Sequence, residues 1–138
     1  MRQKQGVFSL FLLSPSSRRA WIEITNVPYL LGRLFSVLEA VQKAANPGIN
    51  TTIKDRYFNA ACATPGMSFP TLLRLSQKHL RKLNDGLATH YDKQITELMA
   101  QLPASGFPAR LSLPDQGKFT IGYYHQTQKR YVKKNEEE

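Results

Sequence analysis

The sequence predicts an all-α fold: a single bundle of about five helices, with an irregular or weakly ordered N-terminal segment. Three observations carry this expectation. From Leu30 onward, apolar residues recur at i, i+3, i+4, i+7 spacing, the pattern of helices with one buried stripe. Breaker clusters at Asn46-Pro47-Gly48, Thr64-Pro65-Gly66, Asn84-Asp85-Gly86 and Pro103 to Pro108 cut that pattern into helix-sized pieces. No run alternates apolar and polar residues as a half-buried strand would.

The first helix starts after Asn26, with Pro28 preorganised for its first turn. Leu30, Leu31, Leu34, Phe35, Leu38, Val41 and Ala45 share one face, and Arg33, Ser36, Glu39 and Lys43 are expected opposite it. A shorter helix from Thr51 to Ala61, capped by Asn50, should bury Ile53, Tyr57 and Ala60, with Thr64-Pro65-Gly66 as the closing turn. The third helix, about Phe69 to Leu83, takes Ser68 as its cap and Pro70 in its first turn. Asn84-Asp85-Gly86 stops it, and a fourth helix from Leu87 to Leu102 buries Leu87, Tyr91, Ile95, Leu98 and Leu102, with Met99 at the edge. Ser112 announces the last helix and Asp115 completes a box-like pairing; it should run to about Val132. The chain thus divides into residues 1–25, a helical bundle over 26–134 and an acidic tail, 135–138.

The net charge is +9, from nineteen Lys and Arg against ten Asp and Glu, and the sequence pI is about 9.9. Three of the acids are Glu136, Glu137 and Glu138, so the body of the chain is more basic still. Such a balance suits a polyanionic partner, nucleic acid before an anionic membrane. Cys62 is the one cysteine, which excludes a disulfide framework and a thiolate metal cluster and fits a reducing cytoplasm. With three His and no HxxxH or CxxC spacing, a zinc site has little support. The apolar run Val7 to Leu13 is far shorter than the ~20 residues that cross a bilayer. It lacks a convincing cleavage site before Arg18 and Arg19.

Two cationic surfaces are candidates for nucleic-acid contact. On the third helix Arg74, Lys78, Arg81 and Lys82 fall within an arc of about 100°, opposite Phe69, Leu72, Leu73, Leu80 and Leu83. Any solvated helix can show cations opposite its core face, but this arc has no acid to balance it. On the last helix Lys118, Gly122, His125, Lys129 and Lys133 line up, and Gly122 would let a phosphate backbone approach. Beside them, Phe119, Tyr123, Gln126 and Arg130 interleave aromatics with cations as single-strand binders do. Two readings stay open there: a stacking face, or Phe119 and Tyr123 as core with Gly122 allowing close helix packing. Ile121 and Tyr124 are expected to face the core. Lys54 is expected to be free for a backbone contact, Arg56 to be buried against Asp55, and Cys62 to pack among small residues.

Catalysis finds no footing. His125 has no evident partner, Asp92 and Glu97 do not form an acid-base pair by spacing alone, and no GxSxG, DxD-like pair or phosphate-binding loop occurs.

Three segments carry a family resemblance: NPGINTTIKDRYFNAACATP from Asn46 to Pro65, LLRLSQKHLRKL from Leu72 to Leu83, and LSLPDQGKFTIGYYHQTQKRY from Leu111 to Tyr131. Together they resemble the C-terminal helical part of the large subunit of type I-C CRISPR Cascade, a segment also made as a separate small subunit. The resemblance runs from about Asn26 to Lys134. It implies a non-catalytic, cofactor-free cytoplasmic subunit beside the Cascade backbone and large subunits, guide RNA and target DNA, with no membrane or small-molecule substrate. It further implies that the module steadies the R-loop by holding the displaced non-target strand. Strand exchange is nearly balanced in free energy, so protein contacts to the backbone decide whether it persists. Under this reading Arg74, Lys78, Arg81, Lys82, Lys118, His125, Lys129, Arg130 and Lys54 are the candidate contacts.

Residues 1–25 have no place in the resemblance. Ala20 to Ile24, AWIEI, looks like the translated end of a type I-C repeat, so the segment is either read-in sequence or an ordinary N-terminal element. The large subunit's upstream, PAM-reading domains are absent, leaving a functional small subunit and a truncated relic both open. Two other functional readings are an assembly scaffold without DNA contact and a free-standing basic DNA-binding protein. The latter lacks a convincing helix-turn-helix.

Overall fold

The computed structural model describes residues 26–137. The AWIEI motif and the readings of residues 1–25 lie outside them. Five helices follow in order: α1 (Val27–Ala45), α2 (Ile53–Ala63), α3 (Pro65–Arg81), α4 (Asp85–Ala100) and α5 (Leu113–Glu137), with no strand among the described residues.

The organising element is α1. It begins as expected, with the Asn26 side chain accepting from the Tyr29 amide at 3.4 Å and Pro28 in the first turn. The other four helices all pack on it, α5 most extensively. That arrangement overturns the expectation of a solvated face: Ser36 is 0% and Glu39 2% exposed. Where neighbours cover this face of α1 too, its polar groups must be satisfied inside the protein. Ser36 shares a 2.8 Å hydrogen bond with Thr127 of α5. Glu39 accepts from the Thr52 hydroxyl at 2.6 Å and from the Tyr123 hydroxyl, with Lys43 at 3.9 Å. Arg33 donates through Nε to Gln126 at 3.0 Å.

Helix α2 is capped by Thr52 rather than Asn50. Thr52 accepts from the Lys54 amide, and Asp55 accepts from the Thr52 amide at 2.7 Å, a reciprocal capping box. The shifted start rotates the buried face to Ile53, Ala61 and Cys62, with Tyr57 and Phe58 half-buried against the core and Ala60 exposed instead of buried. Nor does Thr64-Pro65-Gly66 form a separating turn. Thr64 closes α2 and opens α3, so Pro65 is the first-turn proline, Ser68 is a buried interior residue and Pro70 lies within the helix. The Gly66 amide donates to the Pro108 carbonyl at 2.9 Å, pinning this junction to the loop before α5.

At the next junction Asn84 starts a helix rather than stopping one. Its side chain accepts from the Leu87 amide at 2.9 Å, and Asp85 and Gly86 join the first turn of α4. Leu87, expected in the core, is therefore exposed, whereas Ile95 and Leu98 are buried and Tyr91 and Leu102 are half-buried. Helix α5 opens with the Ser112 hydroxyl accepting from the Asp115 amide at 3.3 Å and runs beyond Val132 to Glu137.

The centre of the bundle is aromatic. Phe35 meets Phe58 at 5.6 Å between centroids and Phe119 at 5.9 Å, Phe58 meets Tyr123 at 5.4 Å, and Phe69 stacks on Phe107 at 5.1 Å. Such edge and offset contacts add stability beyond the burial of area.

Candidate nucleic-acid interface

Helix α3 shows its cations as the sequence places them. Arg74, Lys78, Arg81 and Lys82 are all exposed on the arc opposite buried Phe69, Leu72 and Leu80. Their hydrogen bonds are long and neutral: Arg74 donates to the Thr71 hydroxyl at 3.4 Å and Lys82 to the Asn46 amide oxygen at 3.4 Å. Among the described residues the ion pairs are Lys43 with Glu39 and Lys118 with Asp115, so none neutralises this arc. Four solvated cations without carboxylates form a surface whose charge is available to a polyanion. Beside it a cleft of about 390 Å³ separates α3 from α2, with His79 and Leu75 on one wall and Arg56 and Tyr57 on the other. Burial, then neighbouring Lys82, pushes the His79 imidazole below the usual histidine range.

The proposed stripe on α5 does not survive as a stacking surface. Gly122 is buried, and a Cβ there would lie 2.1 Å from the Tyr29 carbonyl oxygen. The bare backbone admits α1, not a phosphate. Phe119 and Tyr123 are core residues that no base can reach, so of the two open readings, core and close helix packing hold. Conversely Ile121 and Tyr124, expected in the core, are 51% and 50% exposed. The helix is rotated because the two close approaches of α1, at Gly122 and at Gly32, decide which face turns inward.

The remaining candidates scatter. Lys118 is exposed but paired with Asp115 at 3.6 Å. His125 is exposed, and its Nδ1 shares a 2.8 Å hydrogen bond with the Tyr29 hydroxyl. Lys54, expected to be free, donates to the Tyr124 hydroxyl at 3.1 Å and sits 5.3 and 5.1 Å from the Tyr123 and Tyr124 ring centroids. It is a cation held by aromatic faces. Arg56, expected against Asp55, is exposed because Asp55 is engaged in the α2 capping box. Lys129 is exposed and Arg130 half-buried; both line a second cleft, between α1, α4 and α5, together with Arg33, Gln94 and Gln126. Of the last three, Gln94 has no signal in the sequence, Gln126 is placed there on the α5 face beside Arg130, and Arg33 is the one cation in the apolar run Leu30 to Val41.

Cys62 is buried as expected, and its thiol donates to the Gln116 carbonyl at 3.5 Å; burial pushes it above the ordinary thiol range, the opposite of a nucleophile's tuning. No group of three or more His, Cys, Asp or Glu that could hold a metal ion occurs among the described residues. No helix among them is long and apolar enough to cross a membrane.

No curated protein matches the chain. The family model described as CRISPR-associated protein (Cas_Csd1) matches residues 22–131, which include all five helices except the end of α5. The match spans all three segments that carried the resemblance, and the chain therefore belongs to the Cas_Csd1 family of CRISPR-associated proteins, a family of Cascade subunits.

Proposed function

We propose that this chain is a non-catalytic subunit or domain of a type I-C RNA-guided surveillance complex, and that it stabilises the R-loop by holding the displaced non-target strand. The observation that carries the reading is the α3 surface: Arg74, Lys78, Arg81 and Lys82 exposed on one arc, with no ion pair among the described residues. A flexible single strand can lay its phosphates along such an arc, and each contact releases counterions, so the hold is sequence-tolerant and salt-sensitive. The target strand pairs with the guide RNA, and because that exchange is close to balanced, a few phosphate contacts tip it. The backbone and large subunits would flank the bundle; cytoplasmic location and independence of cofactors belong to the same reading.

The test is reconstitution of a type I-C complex lacking its small subunit with this chain, following R-loop lifetime at two salt concentrations. Restored lifetime that shortens with salt, and is lost when Arg74, Lys78 and Arg81 become Glu, supports strand holding. Assembly with a lifetime indifferent to that reversal refutes it. A second reading, an assembly scaffold, draws on the outer arc of α5, where Leu113, Ile121, Tyr124, Tyr131 and Val132 are exposed. An apolar helix face of that length suits a protein neighbour, and scaffolding predicts that polar substitutions there abolish assembly while the α3 reversal does not.

A further inference from the structure

The cleft between α2 and α3, about 390 Å³, falls in the size range of small-ligand pockets. Ile49, Tyr57 and Leu75 give it apolar walls, Gln42 and His79 give it polar groups, and no carboxylate lines it. Tyr57 is the informative residue. Its neighbour Phe58 is built into the aromatic centre, against Phe35, Phe119 and Tyr123. Tyr57 is half-buried against the core, yet among the described residues its ring meets no other ring and its hydroxyl has no hydrogen-bond partner.

Two donors share the cleft with that ring. Gln42 accepts from the Ile53 amide through Oε1 at 2.8 Å, so its other end is the NH2 group. Asn46 donates to the Gln42 main-chain carbonyl and accepts from Lys82, so it presents its NH2 to His79 Nδ1 at 3.4 Å. Nδ1 is then an acceptor and the ring proton sits on Nε2. Neither the Gln42 NH2 nor His79 Nε2 has an acceptor among the described residues. The unpartnered polar atoms that are closed to solvent lie elsewhere, on Gln94 and Arg130, so solvent reaches both donors. On the α3 wheel Leu75 and His79 adjoin Lys82 and Lys78, so the cleft and the cationic arc share an edge.

We infer that this cleft receives one keto base, thymine first, of the single strand whose phosphates run along α3. The base lies against the Tyr57 ring and Leu75, and its carbonyl oxygens accept from the Gln42 NH2 and from His79 Nε2–H. A flat apolar face suits the walls, and every base has one. The edge decides between bases: thymine offers carbonyl acceptors where adenine offers an amino donor. Burial and neighbouring Lys82 hold the imidazole below the usual histidine range, which keeps Nδ1 available to Asn46 near neutral pH. The inference rests on the strand-holding reading and deepens it. The α3 arc alone tolerates any sequence, whereas the cleft adds a preference at one nucleotide.

Fluorescence anisotropy of the full chain at constant salt would compare an oligothymidylate, an oligodeoxyadenylate and an abasic strand of equal length, which carries the same phosphates. The expected result is oligothymidylate bound about tenfold or more tighter than the abasic strand, the scale of one stacked base. Tyr57→Leu should collapse that ratio toward one. Gln42→Glu keeps an oxygen for the Ile53 amide but removes the donor. Its new charge repels every strand alike, so the thymidylate-to-adenylate ratio is what should shrink, several-fold; this variant keeps the test valid if Tyr57→Leu does not fold. Equal, salt-sensitive binding of thymidylate and abasic strand by the parent overturns the base cleft and leaves strand holding on α3 standing. Ratios unchanged in both variants overturn it too. A parent chain that binds none of the strands overturns both readings, whereas charge reversal on α3 should weaken all three strands and leave their ratios intact.

Discussion

Replacing Gly122 by Ala should unfold this bundle more readily, although the same change inside a helix normally helps. Alanine is favoured over glycine by about 1 kcal/mol at an interior helical position. Gly122, however, sits against α1, where a Cβ would lie 2.1 Å from the Tyr29 carbonyl oxygen and 3.0 Å from its carbon. These are backbone atoms, so no side chain can swing aside. The contact is reciprocal, because a Cβ at Gly32 of α1 would lie 1.9 Å from the Phe119 carbonyl oxygen of α5. The helices would have to part by roughly 1 Å, and a gap of that order forfeits a quarter to a half of each dispersion contact it crosses. Overpacking of this kind costs about 1–3 kcal/mol. With backbone on both sides the upper end applies, and the net loss should be about 2 kcal/mol, or roughly 5–10 °C in Tm for a domain of this size. Gly117 is the internal control: it lies in the same helix, is exposed and has nothing within 4 Å of its Cβ position. Gly117→Ala should stabilise by about 0.5–1 kcal/mol. Urea unfolding of the full chain, followed by circular dichroism, reads both. Two midpoints moving in opposite directions uphold the packing argument; a Gly122→Ala variant as stable as the parent would refute it.

Thr52→Ala should cost about 2–3 kcal/mol in the same unfolding assay, because one hydroxyl both caps α2 and donates to buried Glu39; Thr52→Ser should recover most of it. Stability should also fall with acid. Asn46 Nδ2 donates to the Gln42 carbonyl and its oxygen accepts from Lys82, so the amide NH2 faces His79 Nδ1 at 3.4 Å and requires an acceptor there. Burial first and neighbouring Lys82 second favour neutral His79 in the folded state, and the Asn46 contact agrees with them; the unfolded chain binds the proton more readily, so stability present above about pH 6.5 should be lost as pH falls below it. His79→Gln should flatten that part of the melting profile, and an unchanged slope would refute a His79 held neutral by burial and Lys82. Cys62, buried and hydrogen-bonded, should react slowly with a thiol reagent in buffer and promptly in denaturant; prompt reaction in buffer would mean that the α2–α5 contact opens readily.

The helices were legible because each buries a stripe, and periodicity reports stripes. Leu30, Leu34, Phe35 and Val41 identified α1 without ambiguity. What periodicity could not report is how many neighbours a helix has. Ser36 and Glu39 read as solvated because they lie off the apolar stripe, yet α1 is covered on that side too, and their partners Thr127, Thr52 and Tyr123 come from distant segments. Junctions failed for a different reason. Asn84 and Thr64 are equally good as the end of one helix and the start of the next, and only the tertiary path, such as the Gly66 bond to Pro108, selects between them.

The candidate site divides along the same line. A cation on the outside of a peripheral helix can be read from one wheel, and Arg74, Lys78, Arg81 and Lys82 come from such a helix. On α5 the wheel was sound but its orientation was not, since every side of that helix carries something apolar: Phe119 and Tyr123 inward, Ile121, Tyr124 and Tyr131 outward. Two glycines break the tie, because only the face containing Gly122 lets the backbones approach as closely as Gly32 demands. Once that face turns inward, Lys54 is drawn over Tyr124 and Arg130 is carried into a cleft, while the apolar arc is left outside. Of the candidate contacts, Arg74, Lys78, Arg81 and Lys82 are then the ones that stand together on one open arc, and for this reason their reversal, rather than any change on α5, is the decisive perturbation of strand holding.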